Sequence, residues 1–264
     1  MRGLPRFVIG AAKGGIRRLH PGETEGRLAE RWFSRGRKAV YRASLSAVKG
    51  GSVRTVIAVL WLLIAASAPR AENEPAGQFD YYLLVLSWSP SWCRLEGDDR
   101  HAPECRQGAG LGFTLHGLWP QGESGWPSYC RTSERDPGRS QTAAMADIMG
   151  SAGLAWYQWK KHGRCSGLSA ERYFALARQA YERINRPKLL RAIPHPVRIA
   201  PGVVEAAFLE ANPQLSPDSV TVTCRGGLLQ EVRICLDRSL QPRPCSASVA
   251  RDCSAPAIAL DPPR

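Results

Sequence analysis

The sequence contains no pair of cysteines spaced as C-x-x-C, and none of its five histidines lies at zinc-finger spacing from a cysteine. It has no cluster of Asp and His residues with the spacing of metal ligands. It also has no internal repeat, no heptad pattern, and no apolar run near the roughly 20 residues that cross a bilayer comfortably. These absences argue against a zinc-binding module, a metal-dependent phosphodiesterase, a repeat protein and a coiled coil.

Acidic residues are scarce in the first part of the chain. Residues 1–71 hold 14 Lys and Arg but only 3 Asp and Glu, whereas residues 72–264 hold 22 and 20. The formal net charge of +13 and the isoelectric point of 9.8 therefore belong mainly to the first segment. They are not by themselves a reason to expect a nucleic-acid-binding surface on the rest of the chain.

An apolar run at residues 56–66 has the layout of a secretory signal, because basic residues precede it and small residues follow it. Cleavage is expected between residues 66 and 71, and an uncleaved membrane anchor is the second interpretation. The sequence thus divides into a basic extension (1–55), a signal segment (56–71) and an exported domain (72–264). For the extension we favour a true translation start nearer Val48 over a cytoplasmic basic tail.

All eight cysteines follow the signal segment, which predicts disulfide bonds in an oxidising compartment, periplasmic or secreted. After cleavage no stable membrane association is expected. Eight cysteines allow about 105 pairings, so spacing alone does not choose among them. The spacing suggests the pairs Cys93–Cys105, Cys235–Cys245, Cys224–Cys253 and Cys130–Cys165.

Helices and strands cluster along the exported domain rather than alternate, which favours an α+β fold. Apolar runs and turn residues predict strands at 80–88, 113–116, 219–224 and 228–236, the last two joined as a hairpin by Gly226-Gly227. Helical spacing and capping residues predict helices at 141–149, 152–161, after Ser169, and at 203–211. Loops are expected at 93–112 and 121–139, with Gly117 and Pro120 turning the chain away after the second strand.

Two short segments carry the chemistry. Phe113–Pro120 reads FTLHGLWP and contains His116, and Trp156–Cys165 reads WYQWKKHGRC and contains His162. Taken singly, each histidine, each tryptophan and the Lys160-Lys161 pair is more often structural. Taken together, two histidines and a lysine supply what metal-free RNA cleavage requires: a base for the 2′-hydroxyl, an acid for the departing oxygen, and a cation for the phosphoryl charge.

Both segments resemble the conserved active-site segments of the ribonuclease T2 family. The similarity extends to Phe79–Cys93 and to Val222–Cys245, which resemble the opening strand and the closing strands of bacterial members. The resemblance implies an α+β fold with a central antiparallel sheet flanked by helices. It also supports the Cys130–Cys165 bridge and the nested pairs near the C-terminus.

The resemblance also implies roles for individual residues. His162 matches the general base, His116 the general acid, Lys161 the group that stabilises the charged phosphorus, and Trp119 a position that stacks on a nucleobase. The implied reaction is transphosphorylation of RNA to a 2′,3′-cyclic phosphate, followed by hydrolysis to a 3′-phosphate. No metal, organic cofactor or obligate protein partner is implied.

Three positions depart from the family pattern. Gln158 replaces a glutamate that would raise the pKa of a neighbouring histidine or lysine, Tyr157 replaces a histidine, and Gln121 replaces an acidic base-recognising residue of some members. Gln158 can still donate a hydrogen bond to a phosphoryl oxygen, and the Tyr157 hydroxyl can hold a phosphate. The alternative hypothesis is therefore a weakened or inactive member that binds RNA or a protein.

Overall fold

The computed structural model of the chain describes residues 74–264, so the predicted extension (1–55) and signal segment (56–71) lie outside the described residues. Within 74–264, no helix is both long enough and apolar enough to cross a membrane. The described part of the chain has six strands: β1 (Tyr81–Trp88), β2 (Phe113–Gln121), β3 (Val197–Ile199), β4 (Val220–Arg225), β5 (Leu228–Leu236) and β6 (Ile258–Leu260). The same residues form seven α-helices: α1 (Ser89–Trp92), α2 (Arg139–Ala143), α3 (Ala146–Met149), α4 (Ala152–Lys161), α5 (Ala170–Arg183), α6 (Lys188–Arg191) and α7 (Pro201–Ala211).

The strands form one sheet in the order β2-β1-β5-β6-β3. Strand β4 pairs with the edge of β5 that faces away from β1. The pairs β1–β2, β1–β5, β4–β5 and β3–β6 are antiparallel, and only β5–β6 is parallel among the described strands. The predicted α+β class with a central sheet flanked by helices is confirmed, and the β4–β5 hairpin turns at Gly226-Gly227, where both residues have positive φ.

Strand β1 is buried on both faces, which explains its continuous apolar sequence. Residues such as Leu84 and Leu86 point into the main core with helices α4, α5 and α7. The alternate residues, including Leu83 and Val85, lie in a smaller cluster on the opposite face. Because β1 is covered on both sides, its pairing fixes the register of its neighbours β2 and β5. These two strands carry the candidate site.

Helices α4 and α5 begin at capping serines. The Ser151 side chain accepts a hydrogen bond from the Leu154 amide, and the Ser169 side chain accepts one from the Arg172 amide. The Tyr173 hydroxyl of α5 donates to the Leu118 carbonyl at 2.9 Å, which fastens the helix to β2. The Tyr173 ring also packs against Trp159 of α4, with ring centroids 5.9 Å apart, so Tyr173 links α4 to the strand that carries His116.

Four predictions about local structure were wrong. Strand β2 continues to Gln121 instead of turning at Gly117 and Pro120, because an edge strand tolerates a proline that cannot donate to the ladder. The helix predicted at 141–149 is two short helices, and α7 begins at Pro201. The segment 93–112 is not a plain loop, since it contains a π-helical turn at Cys93–Gly97 and a 3-10 turn at Pro103–Cys105.

The eight cysteines form four disulfides in the arrangement that their spacing suggested: Cys93–Cys105, Cys130–Cys165, Cys224–Cys253 and Cys235–Cys245. The Cys130–Cys165 bridge ties the loop after β2 to the turn that follows α4. Next to it, the Tyr129 amide donates to the Lys161 carbonyl at 2.8 Å. The end of α4 is therefore held both by a covalent bond and by a backbone hydrogen bond.

Candidate active site

His116 occupies a β-bulge in strand β2. Its two neighbours in sequence pair with consecutive residues of β1, Leu86 and Val85, so His116 has no partner on that strand. A bulge bends the strand and redirects the side chain of the extra residue. The His116 ring consequently forms part of the wall of a groove, while the side chain of Leu115 remains in the core.

Strand β5 supplies the partner of His116. The Glu231 carboxylate lies 2.7 Å from His116 Nδ1, and its second oxygen accepts hydrogen bonds from the Arg233 guanidinium at 2.7 and 2.9 Å. Burial acts to raise the pKa of Glu231, but the hydrogen bond and charge of His116, together with Arg233, outweigh it and lower the pKa. Glu231 is therefore an ionised carboxylate whose side chain is only 3% exposed.

The ionised carboxylate determines which nitrogen of His116 carries a proton. A carboxylate only accepts hydrogen bonds, so Nδ1 of His116 is the donor in this contact. Nε2 is then the nitrogen that can exchange a proton with a bound molecule. Glu231 and Arg233 were not predicted as site residues, although a carboxylate within the apolar run of β5 was a signal of a buried polar contact.

His162 lies at the C-terminal end of α4 and is 3% exposed. Its Nδ1 is buried and has no hydrogen-bond partner among the described residues. Burial, followed by the positive charges of Lys161 and His116, lowers the pKa of His162 to about 3. The ring is therefore neutral at physiological pH. The ring is thus shielded from solvent, whereas the role of general base that the family resemblance implies requires access to a ribose 2′-hydroxyl.

Trp119 contacts both histidine rings and explains the burial of one of them. Its indole stacks on His162 with ring centroids 4.7 Å apart and planes inclined by 16°, and it meets His116 edge-on at 5.2 Å. The indole Nε1 donates to Gln158 Oε1 at 2.7 Å. The structure thus brings the two predicted histidines to a common tryptophan, one face of which is covered by the His162 ring.

The remaining predicted residues surround this group unequally. Gln158 is 1% exposed and lies beneath Trp119, not in the groove. Tyr157 is 45% exposed and lines the groove, and the Lys161 ammonium lies 5.8 Å from the centre of the Tyr157 ring. Gln121, at the far end of β2, is 3% exposed and is absent from the groove lining. A base-recognising role for Gln121 therefore finds no support in its position.

The groove beside His116 has a volume of 620 Å³. Polar groups of Thr114, His116, Tyr157 and Glu231 line one part of it. Its other walls come from α1, α3, α4, β4 and the disulfide-bonded segment. They include the apolar or aromatic side chains of Trp92, Leu95, Met149 and Leu154 and the charged side chains of Glu96, Arg100, Glu104 and Arg225. A cavity that combines apolar surface with convergent polar groups is typical of a site for an organic ligand.

Residues 74–264 contain no group of three or more His, Cys, Asp and Glu side chains placed to hold a metal ion. The side chains gathered around Trp119 are two imidazoles, a buried carboxylate that orients one of them, and nearby cations.

Comparison with known proteins gives a consistent assignment. The sequence model of the Ribonuclease T2 family matches residues 79–245. A ribonuclease of Aeromonas hydrophila is 39% identical over 138 residues, which cover 51% of this chain and 61% of the relative. Ribonuclease S-2 of Antirrhinum hispanicum is 33% identical over 182 residues, or 61% of this chain and 74% of that relative.

The solved structure of an RNase-related protein from Calystegia sepium has the same fold, with a TM-score of 0.57, 21% identity, and coverage of 70% of this chain and 98% of that one. The match to the Aeromonas relative spans less than two thirds of that protein's length. The family match nevertheless contains both histidine segments, Glu231 and three of the four disulfides. On sequence and fold together, the chain belongs to the ribonuclease T2 family.

Proposed function

We propose that this chain is an exported endoribonuclease that cleaves single-stranded RNA without a metal ion. The observation that carries the proposal is the His116 ring, which a strand bulge directs into the groove and which the Glu231 carboxylate holds at 2.7 Å. Such an oriented imidazole is suited to proton transfer. The ring of His162, the second imidazole, stacks on Trp119, the tryptophan that His116 also contacts.

In the proposed reaction, His162 removes the proton of the ribose 2′-hydroxyl, and the 2′-oxygen attacks the adjacent phosphorus. The bond from phosphorus to the 5′-oxygen breaks, and His116 protonates the departing oxygen through Nε2. The product is a 2′,3′-cyclic phosphate, which water then opens to a 3′-phosphate with the two histidines in exchanged roles. The Lys161 ammonium offsets the charge that develops on the phosphoryl oxygens.

His162 suits the role of base because its neutral ring has a nitrogen that accepts a proton. The indole of Trp119 covers that ring in the structure. We therefore propose that RNA binding moves the indole from His162 onto a nucleobase. This movement would expose His162, the proposed general base, to the ribose 2′-hydroxyl. The Trp119–Gln158 hydrogen bond is one contact that this movement would break or redirect.

The second candidate function is a family member that binds RNA or a protein without cutting it. Two observations favour it. His162, the residue in the role of general base, is buried and has a pKa of about 3, and Gln158 lies where the family carries a carboxylate. A base of such low pKa has a weak driving force for taking a proton. The groove and the basic residues near it would serve binding equally well.

The two functions are separated by incubating the exported protein with RNA in excess EDTA between about pH 4 and about pH 8. Cyclic-phosphate ends that persist with the chelator support the proposed reaction. Cleavage that EDTA abolishes would contradict metal independence, and RNA binding without product at any pH would favour the binder. In His116→Phe and His162→Phe, turnover should fall to background while the thermal unfolding transition persists.

We also propose that residues 72–264 form the exported catalytic domain, located in the periplasm or secreted. Its four disulfides support this location, since such bonds persist in oxidising compartments. N-terminal sequencing of the native protein tests the proposal. A terminus between residues 66 and 72 is expected, and a terminus within residues 1–55 would contradict cleavage of a signal segment.

A further inference from the structure

A second cavity, of 480 Å³, lies beside the first residues of strand β2. The backbone at 110–112 forms one side, and the end of α5 and helix α6 form the other. Three basic side chains line it: Arg186, Lys188 and Arg191. The reaction proposed above uses none of them.

The charge of this cavity is strongly positive. Its one acidic lining residue, Asp147, is held by both terminal nitrogens of Arg178 at 2.7 and 2.8 Å, so its charge is already balanced. Lys188 and Arg191 are exposed and have no carboxylate partner within residues 74–264. Two solvent-facing cations thus remain available to an anion.

Arg186 contributes a cation of fixed position. Its guanidinium carbon lies 4.0 Å from the centre of the Tyr181 ring, and one of its nitrogens donates to the carbonyls of Tyr181 and Ile184 at 2.7 and 2.9 Å. On the opposite wall, a Cβ added at Gly112 would lie 3.5 Å from Cγ of Arg191. The backbone that precedes β2 therefore approaches the side chain of Arg191 closely, and the cavity is bounded on both sides.

The cavity adjoins the groove that contains His116. Thr114 lines both, and helix α3 contributes Asp147 to the cavity and Met149 to the groove. Thr114 precedes His116 by two residues on the same strand, a separation of about 7 Å along an extended backbone. An RNA strand whose scissile phosphate lies at His116 can thus extend its neighbouring phosphates toward these cations.

We propose that this cavity binds a second phosphate of the RNA substrate, remote from the bond that is cleaved. Lys188 and Arg191 supply the positive charge that attracts the phosphate, and Arg186 forms a fixed part of the cavity wall. The inference rests on the proposed ribonuclease function and extends it, because it predicts a preference for substrates longer than a dinucleotide. Contacts of this kind carry no base specificity and weaken as salt rises.

The test compares Lys188→Gln/Arg191→Gln with Arg172→Gln/Arg251→Gln, a control that removes two exposed positive charges lining neither cavity. The probe is a 2′-O-methyl oligonucleotide of about twelve nucleotides, which has no free 2′-hydroxyl to attack phosphorus. In the Lys188/Arg191 variant its Kd should rise about tenfold, and the slope of log Kd against log salt should fall by about 0.7, the value for one phosphate of a single strand. The control should bind as the wild type does.

Cleavage of a dinucleoside monophosphate separates this inference from the proposed function. That substrate has one phosphate, so the Lys188/Arg191 variant should cleave it at the wild-type kcat/KM. An unchanged Kd and salt slope for the oligonucleotide would overturn the inference, as would an equal loss in the control or an equal loss on the dinucleotide. A wild type that binds the oligonucleotide but cleaves neither the dinucleoside monophosphate nor unmodified RNA would contradict the proposed function alone.

Discussion

At the scale of single residues, Glu231 is the group that fixes the His116 ring. Replacement by Gln keeps the size of the side chain but removes the carboxylate that defines Nδ1 as the donor and balances Arg233. We expect kcat/KM on RNA to fall at least about tenfold in Glu231→Gln, mainly through kcat, because the imidazole loses its fixed orientation. Steady-state kinetics at several pH values measure this.

The matched control is Glu123→Gln. Glu123 is also paired with an arginine, Arg243, at 2.6 Å, but its side chain is 57% exposed and it does not line the groove. Its substitution should leave kcat/KM unchanged. If Glu231→Gln retained the wild-type kcat and pH profile, Glu231 would be structural only.

His162 couples stability to pH in a direction that can be worked out. Its pKa is lowered from 6.5 to about 3 by burial first and then by the charges of Lys161 and His116. The unfolded chain therefore binds the extra proton between those values, and the free energy of unfolding falls as pH falls from 6.5 toward 3. One such group contributes at most about 1.4 kcal/mol per pH unit in that window.

In His162→Phe this contribution should be absent. Urea unfolding at about pH 4 and about pH 7 would then show a smaller loss of stability on acidification than in the wild type. A variant that loses as much stability as the wild type would show that the folded protein protonates this ring as readily as the unfolded chain does.

The sequence predicted the central residues of the site but not their mutual arrangement. His116, Trp119 and His162 were identified because their segments are distinctive in residue type. The stacking of Trp119 on His162 was not predicted, since it depends on the side-chain orientations at the end of α4 and in β2. Glu231 was missed as a partner because it lies 115 residues from His116, and only the register of β5 against β1 brings them together.

At the scale of elements, the bulged strand β2 and helix α4 meet at Gly117. A Cβ added there would lie 2.4 Å from Trp119 Nε1 and 2.5 Å from Gln158 Oε1, so the indole or the amide would have to move. We expect Gly117→Ala to destabilise the protein by about 1–3 kcal/mol and to lower activity. Thermal unfolding and RNA cleavage measure the two effects.

Gly153→Ala is the control for this substitution. Gly153 is in the first turn of α4, and an added Cβ would meet nothing within 4 Å. Alanine there should be neutral or stabilise by up to about 1 kcal/mol, because it restricts the unfolded chain and favours the helix. An equal effect of the two substitutions would contradict the close contact at Gly117.

Predictions of elements succeeded where the pattern was local. Helix α4 and strand β5 have the predicted bounds, since a capping serine or an alternating apolar run defines them. Strand β2 was predicted too short because its continuation past Gly117 depends on pairing with β1, which no local pattern records. Strands β3 and β6 were not predicted for the same reason. These three-residue strands are defined by their pairing with each other and not by a local pattern.

At the scale of the whole molecule, the disulfides differ in whether they constrain the candidate site. Cys130–Cys165 closes 35 residues that include the second part of the loop after β2, helix α4 and His162, and both cysteines are fully buried. Cys235–Cys245 closes 10 residues at the end of β5. The first bridge therefore constrains the distance between the two histidine segments, and the second does not.

This difference predicts unequal effects of removing the bridges as Cys130→Ala/Cys165→Ala and Cys235→Ala/Cys245→Ala. Each loss should cost about 2–4 kcal/mol, and the longer loop should cost about 1 kcal/mol more if loop entropy dominates. Activity should separate them further, because only the first variant frees the turn after His162 from the loop that follows β2. Unfolding free energies and kcat/KM of both variants, measured where each remains folded, test this. Equal activity in the two folded variants would show that the packing of Trp119 against His162 holds the site without the covalent link.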